Sequence, residues 1–201
     1  MNAPKGVDYE DVFNLAESIE GDRLADLRDR AMVLFLADTG ARVGGMCGLQ
    51  LGDLDLQTRT AHVTEKDGRP RPLFFTQVTA QALQTWLEAR PEDRGPWVFV
   101  GLGNRSKGAL RPDSVARILR ERAESAGIEG RVNPHAFRHG FAREFLLNGG
   151  NLATLADILG HSNVQTTKDF YGVFTTDQLR REHGRYSPMA AHSREGDDGD
   201  L

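Results

Sequence analysis

Helical segments interrupted by glycine fill the stretch from Asn133 to Tyr171, NPHAFRHGFAREFLLNGGNLATLADILGHSNVQTTKDFY. Pro134 suits the first turn of a helix, where its missing N–H costs nothing. Gly149-Gly150 and Gly160 then break the run. The spacing predicts helices over 135–147, 151–159 and about 163–171. This stretch carries His135, Arg138, His161 and Tyr171, and the rest of the chain is organised around it.

Upstream, residues 8–20 have helical spacing, with Val12, Leu15, Ala16 and Ile19 on one side. Leu24 to Leu36 reads as a stronger helix, apolar enough from Ala31 onward to be buried, and Thr39-Gly40 breaks it. A glycine-weakened helix follows at Val43 to Leu49. Asp53 to Val63 alternates polar and apolar residues, as strands do, and Asp67-Gly68 signals a hairpin turn. Arg71 to Phe75 is the returning strand, with Lys66 at the hairpin tip. Thr79 to Ala89 is amphipathic, with Leu83, Trp86 and Leu87 inward. Pro112 starts another helix that runs to about Ala126, with Gly127 as its C-cap. A last helix is expected near 176–184. The fold class is mainly α with a small antiparallel β-sheet: one domain over 1–189, then a disordered acidic tail over 190–201.

The chain has 201 residues and a net charge of −4. That charge is unevenly spread. Residues 1–93 carry 10 basic against 16 acidic side chains, whereas residues 94–194 carry 15 against 9. The half that holds the central stretch is therefore basic, which permits a polyanion partner without proving one. No apolar run approaches the ~18 residues of a membrane span, so no membrane association is expected. The N-terminus MNAPKGVDYEDVF has no apolar signal core, which makes a cytoplasmic protein the expectation. The lone Cys47 has no disulfide partner and reads as a buried structural thiol.

Several chemistries fit parts of the pattern. His135 and Arg138 are three apart and share a helix face, and His139 could join them. Arg42 sits just after a buried helix, and a guanidinium fork suits phosphate oxygens as well as it suits a structural carboxylate. His161 follows a glycine at a turn, beside a candidate N-cap at Ser162 or Asn163, where backbone N–H groups can face an anion. Tyr171 at helical spacing suits a core or rim position equally well, and Lys66 alone is a solvated charge. His135, His139 and His161 could bind zinc, but Arg138 beside them would repel a cation. No GxSxG and no GxxxxGK[ST] are present. Taken together, two arginines, two histidines and a phenol suit gripping a phosphate diester and attacking it.

The order of these residues resembles the catalytic domain of the tyrosine recombinase (phage integrase) family. The matching stretches are TGARVGGMCGLQLGDLD, TEKDGRPRPLFF, HAFRHGFAREFL and LGHSNVQTTKDFYG. The resemblance implies that Arg42 and Arg138 clamp a scissile phosphate and that His135 and His161 are the active-site histidines. It implies that Lys66 protonates the leaving oxygen and that Tyr171 is the nucleophile. It also implies a mainly helical domain with a small sheet, double-stranded DNA as partner, and neither metal nor other cofactor. Relatives assemble by passing a C-terminal segment to a neighbour, so a tetramer on DNA is expected, with Phe174 to Tyr186 as that segment and Leu179 as its anchor. Two departures stand out. Gly45 occupies the position where many relatives carry an acidic residue, and too few residues precede Arg42 to make the helical domain that clasps DNA in most relatives.

Overall fold

The computed structural model describes residues 8–64, 70–103, 108–130, 132–160, 180 and 183. Seven α-helices, two single-turn 3-10 helices (Leu51–Asp53 and Glu92–Arg94) and a three-stranded sheet occur among them. The α-helices are α1 (Tyr9–Ser18), α2 (Leu24–Thr39), α3 (Val43–Gly48), α4 (Gln77–Ala89), α5 (Pro112–Ser125), α6 (Pro134–Leu147) and α7 (Leu152–Leu159). The strands are β1 (Leu54–Asp55), β2 (Thr60–Thr64) and β3 (Pro70–Phe74), antiparallel and in that spatial order. The predicted helices at 163–171 and 176–184 fall almost wholly outside the described residues, as does the tail.

The second helix, α2, is the spine. Ala31 to Ala37 is buried along its whole length, because α1, α4 and α6 all pack against it. Its core neighbours include Trp86, Phe99 and Phe137, each 0% exposed. Trp86 hydrogen-bonds through Nε1 to the Val98 carbonyl at 2.8 Å, so its polar edge is satisfied inside the core. The α1 helix buries Val12, Leu15 and Ala16, and the Tyr9 hydroxyl donates to the Ala37 carbonyl. Asp38, near the end of α2, accepts from the backbone N–H of Thr76 and from the hydroxyls of Thr76 and Thr79. The start of α4 is thereby tied to α2 by a borrowed cap. Buried charge joins α2 to α5: Arg122 donates to Asp26 and Asp29, both at 2.8 Å, and Arg28 donates to Asp29.

The α2 helix runs past Leu36 to Thr39, and the break falls at Thr39-Gly40 as expected. The Thr39 hydroxyl bonds back to the Phe35 carbonyl at 2.6 Å and carries the last turn. Gly40 then ends the helix in the left-handed conformation, φ 59°. A Cβ there would lie 2.6 Å from the Phe141 ring. The alternation over Asp53 to Val63 yields less strand than it suggests. Asp55 Oδ1 accepts from the N–H groups of Gln57 and Thr58, and Arg59 has φ 54°, so a tight turn separates β1 from β2. In β3, Pro70 and Pro72 bring no N–H, as an edge strand allows.

Most buried apolar residues form one cluster. Ala142, Leu155 and Leu159 form a second, smaller one with Phe141, Phe145 and Leu146. The α7 helix therefore rests on α6 through a small patch. Among the described residues no helix is long and apolar enough to cross a membrane.

Candidate active site

Arg138 lies on α6 with its side chain turned inward, 7% exposed. Its position follows from the local sequence. Asn133 caps α6 by accepting from the Ala136 N–H at 3.0 Å, Pro134 occupies the first turn, and Phe137 buries the adjacent face. The guanidinium donates through Nη1 to the Gly40 carbonyl at 2.8 Å and through Nη2 to the Leu159 carbonyl at 2.7 Å. Gly40 closes α2 and stands two residues before Arg42. Leu159 ends α7 and stands two residues before His161. One buried cation thus meets the negative ends of two helices, where dipoles favour it.

Arg42 is the N-cap residue of α3, half-buried, with extended backbone. Its carbonyl accepts from the Met46 N–H at 3.1 Å. Three residues on, Gly45 is buried, and a Cβ built on it would lie 3.4 Å from the Cβ of Val63 on β2. An acidic side chain here would start against an apolar strand residue. A Cβ at that distance would be in ordinary contact, so the packing of α3 on β2 leaves room for one and does not by itself require glycine.

His135 is exposed at the start of α6, whereas His139 one turn later is buried. Their Nε2 atoms are 2.7 Å apart and their rings meet edge to face. One nitrogen must donate and the other accept. Burial, then the neighbouring His135 and Arg138, push the His139 pKa down to about 4. His139 is therefore neutral near pH 7, and the pair holds His135 by a single shared proton. The expected shared face is realised as a His135–His139 contact, with Arg138 aimed at the helix ends. Among the described residues no three His, Cys, Asp or Glu side chains are grouped to hold a metal.

Lys66, His161 and Tyr171 lie outside the described residues. Of the six residues singled out from the sequence, the structure describes Arg42, His135 and Arg138. It brings the turn that carries Arg42 against the Arg138 guanidinium. Sequence reasoning missed Arg71. The signal was available in register: β2 and β3 pair Ala61 with Leu73 and Val63 with Arg71, so Arg71 stands in the core-facing row. Cys47 is buried as expected, and burial pushes its thiol pKa up to about 12.

A helical domain with a short three-stranded antiparallel sheet, its helix ends gathered on a buried arginine, has the fold of tyrosine recombinase catalytic domains. The sequence model of the phage integrase family matches residues 7–176, and the chain belongs to that family. It is 33% identical over 197 residues to the tyrosine recombinase XerD of Mycobacterium leprae (strain TN), covering 93% of this chain and 62% of that protein. It is 34% identical over 166 residues to the tyrosine recombinase XerA of Pyrococcus furiosus, covering 82% of this chain and 56% of that one. The chain thus spans about three fifths of the length of these curated relatives. A crystal structure of XerA recombinase superposes with a TM-score of 0.77 at 30% identity, over 94% of this chain and 67% of the other. XerH recombinase bound to its difH substrate superposes at 0.76 with 20% identity, over 93% and 55%, a likeness of fold.

Proposed function

We propose that this chain is the catalytic portion of a site-specific DNA recombinase that works through a phosphotyrosine intermediate. The observation that carries the reading is the bonding of Arg138 to the carbonyls of Gly40 and Leu159, which lie two residues from Arg42 and from His161. A phosphodiester resists attack because its charge repels nucleophiles and its alkoxide leaves badly. In the proposed reaction the Tyr171 phenol attacks phosphorus. A phenol is protonated at neutral pH, with a pKa of about 10, so its proton must leave as the bond forms. His135, held by neutral His139, is suited to take part in that transfer. Arg42, Arg138 and His161 stabilise the charge that develops on the non-bridging oxygens. Lys66 protonates the departing 5′-oxygen. The 3′-phosphotyrosine stores the bond, and a 5′-hydroxyl from a second strand reverses the step. The bond energy is conserved throughout, so the scheme calls for no cofactor.

Strand exchange between two duplexes needs four such sites, and the proposed working form is a tetramer on double-stranded DNA, with Phe174 to Tyr186 reaching the neighbour. The basic half of the chain supports the DNA partner, and binding should weaken steeply with salt. Gly45, at the position where many relatives carry an acidic residue, favours a second reading, a DNA-binding module of the same fold without catalysis.

The test is a pool of nicked duplexes randomised around the nick, mixed with the chain and recovered as SDS-resistant protein–DNA adducts. Adducts that disappear in Tyr171→Phe support the enzyme, and their sequences supply the target site. Salt-sensitive binding without any adduct supports the module. Relaxation of plasmids that lack the recovered sequence points instead to a related topoisomerase.

A further inference from the structure

Along β3 the core-facing row runs from Leu73, 1% exposed, to Arg71, half-buried and opposite Val63. A guanidinium therefore stands where the pattern calls for an apolar side chain. Burial lowers its pKa from the ordinary arginine value, so the position works against its charge and must return hydrogen bonds. Arg71 Nη1 donates to the carbonyl of Ile158, in the last turn of α7. Gly160, which closes α7 at φ 64°, leaves the room: a Cβ on it would lie 2.7 Å from both Cδ and Nε of Arg71. The Arg71 stem thus lies across the helix end. The next carbonyl, that of Leu159, is taken by Arg138 from α6. Two arginines from different elements hold consecutive carbonyls of one helix terminus, where the helix dipole attracts them. That helix has only a small apolar patch of its own, so these bonds govern where its end points.

We propose that Arg71 is a positioning residue for the reaction described above: it docks the hairpin strand onto the C-terminus of α7. The strand leading out of Lys66 and the helix leading into His161 are then held in one fixed register. This rests on the recombinase reading, since it gives Lys66 and His161 their work. The group proposed to donate the leaving-group proton and the group proposed to bind the phosphate would then both depend on a side chain whose described bond is to the Ile158 carbonyl.

The test compares two versions of an adduct-forming duplex from the randomised pool. One has the natural 5′-oxygen at the cleaved phosphate. The other has a bridging 5′-sulfur, which leaves as a thiolate when the tyrosyl oxygen bonds to phosphorus and needs no proton. Lys66→Ala should slow cleavage of the oxygen duplex by about 10²-fold or more and cut the sulfur duplex near the wild-type rate. Arg71→Ala should lose about 10²-fold on the oxygen duplex and regain part of that on the sulfur duplex, the remainder reflecting the His161 side of the docking, and Arg71→Lys should recover part of the loss. Equal loss on both duplexes in Arg71→Ala, beside a rescued Lys66→Ala, overturns the positioning role and leaves the recombinase reading standing. Amide hydrogen exchange without DNA gives an independent arm. Arg71→Ala should speed exchange in 152–160 and in β3 together, and unchanged exchange there overturns the docking. Failure of the wild-type chain to form any adduct removes the recombinase reading and, with it, the catalytic role of Arg71.

Discussion

The Arg138 side chain donates to the carbonyl of Leu159 at 2.7 Å, bridging 21 residues of sequence. Its other described bond reaches Gly40, 98 residues away. The same guanidinium therefore serves two masters: it holds two helix ends together, and in the proposed reaction it binds phosphate. Arg138→Ala should lower stability by about 3 kcal/mol, since two buried carbonyls lose a charged donor. Urea unfolding measures this. Arg138→Lys, which offers a point charge in place of a fork, should recover less than half of it.

His139 gives the protein a defined acid sensitivity. Its folded pKa, about 4, is below the ordinary value of 6.5, so the unfolded chain binds the proton more tightly. The stability contributed by the neutral ring is complete above about pH 6.5. It falls as pH drops from there towards 4, by up to about 3 kcal/mol. Unfolding curves across that window should show a wild-type decline that His139→Gln flattens. A wild type and variant that decline in parallel would contradict the buried neutral ring.

The buried charges between α2 and α5 are interdependent. Arg122→Met leaves Asp26, 1% exposed, with Arg23 and Asp29, 3% exposed, with Arg28, and should cost about 1–3 kcal/mol. Adding Asp26→Asn and Asp29→Asn should restore part of the loss. A triple variant no more stable than the single one would mean that uncompensated charge is not the cause. Hydrogen bonding to Arg23, then to Arg122, holds the Asp26 carboxyl below its ordinary range. The stability it contributes is present above about pH 4 and is lost as pH falls further.

Two glycines four residues apart should respond in opposite directions. Gly40→Ala meets both a left-handed backbone and the Phe141 ring, and should destabilise by about 1–3 kcal/mol. Gly44, inside α3 with open space where its Cβ would be, should gain up to about 1 kcal/mol on Gly44→Ala. Thermal unfolding of the two variants side by side checks the pair.

Much of the fold is legible in the sequence because its signals are local. Pro134 and Asn133 start α6, Gly40 and Gly160 stop α2 and α7, and the apolar spacing of Val12, Leu15 and Ala16 gives the buried side of α1. Where local signals compete, periodicity misleads: the Asp55 turn cuts into the alternation that extended the strands. The choice of Arg42, His135 and Arg138 came from motif order. Their contacts did not, because spacing along a helix says which side a residue takes and nothing of the distant carbonyl it reaches. Arg71 was passed over for that reason. Its partner is 87 residues away, and only pairing with Val63 reveals that it points inward.

The two prolines of β3 have a consequence for crowding. An exposed sheet border offers N–H groups on which a foreign strand can nucleate. Pro70 and Pro72 delete those donors from the outermost strand. A second copy approaching along this border would meet two positions that cannot donate, which disfavours ribbon-to-ribbon zippering there, and the sheet's other border, β1, is only two residues long.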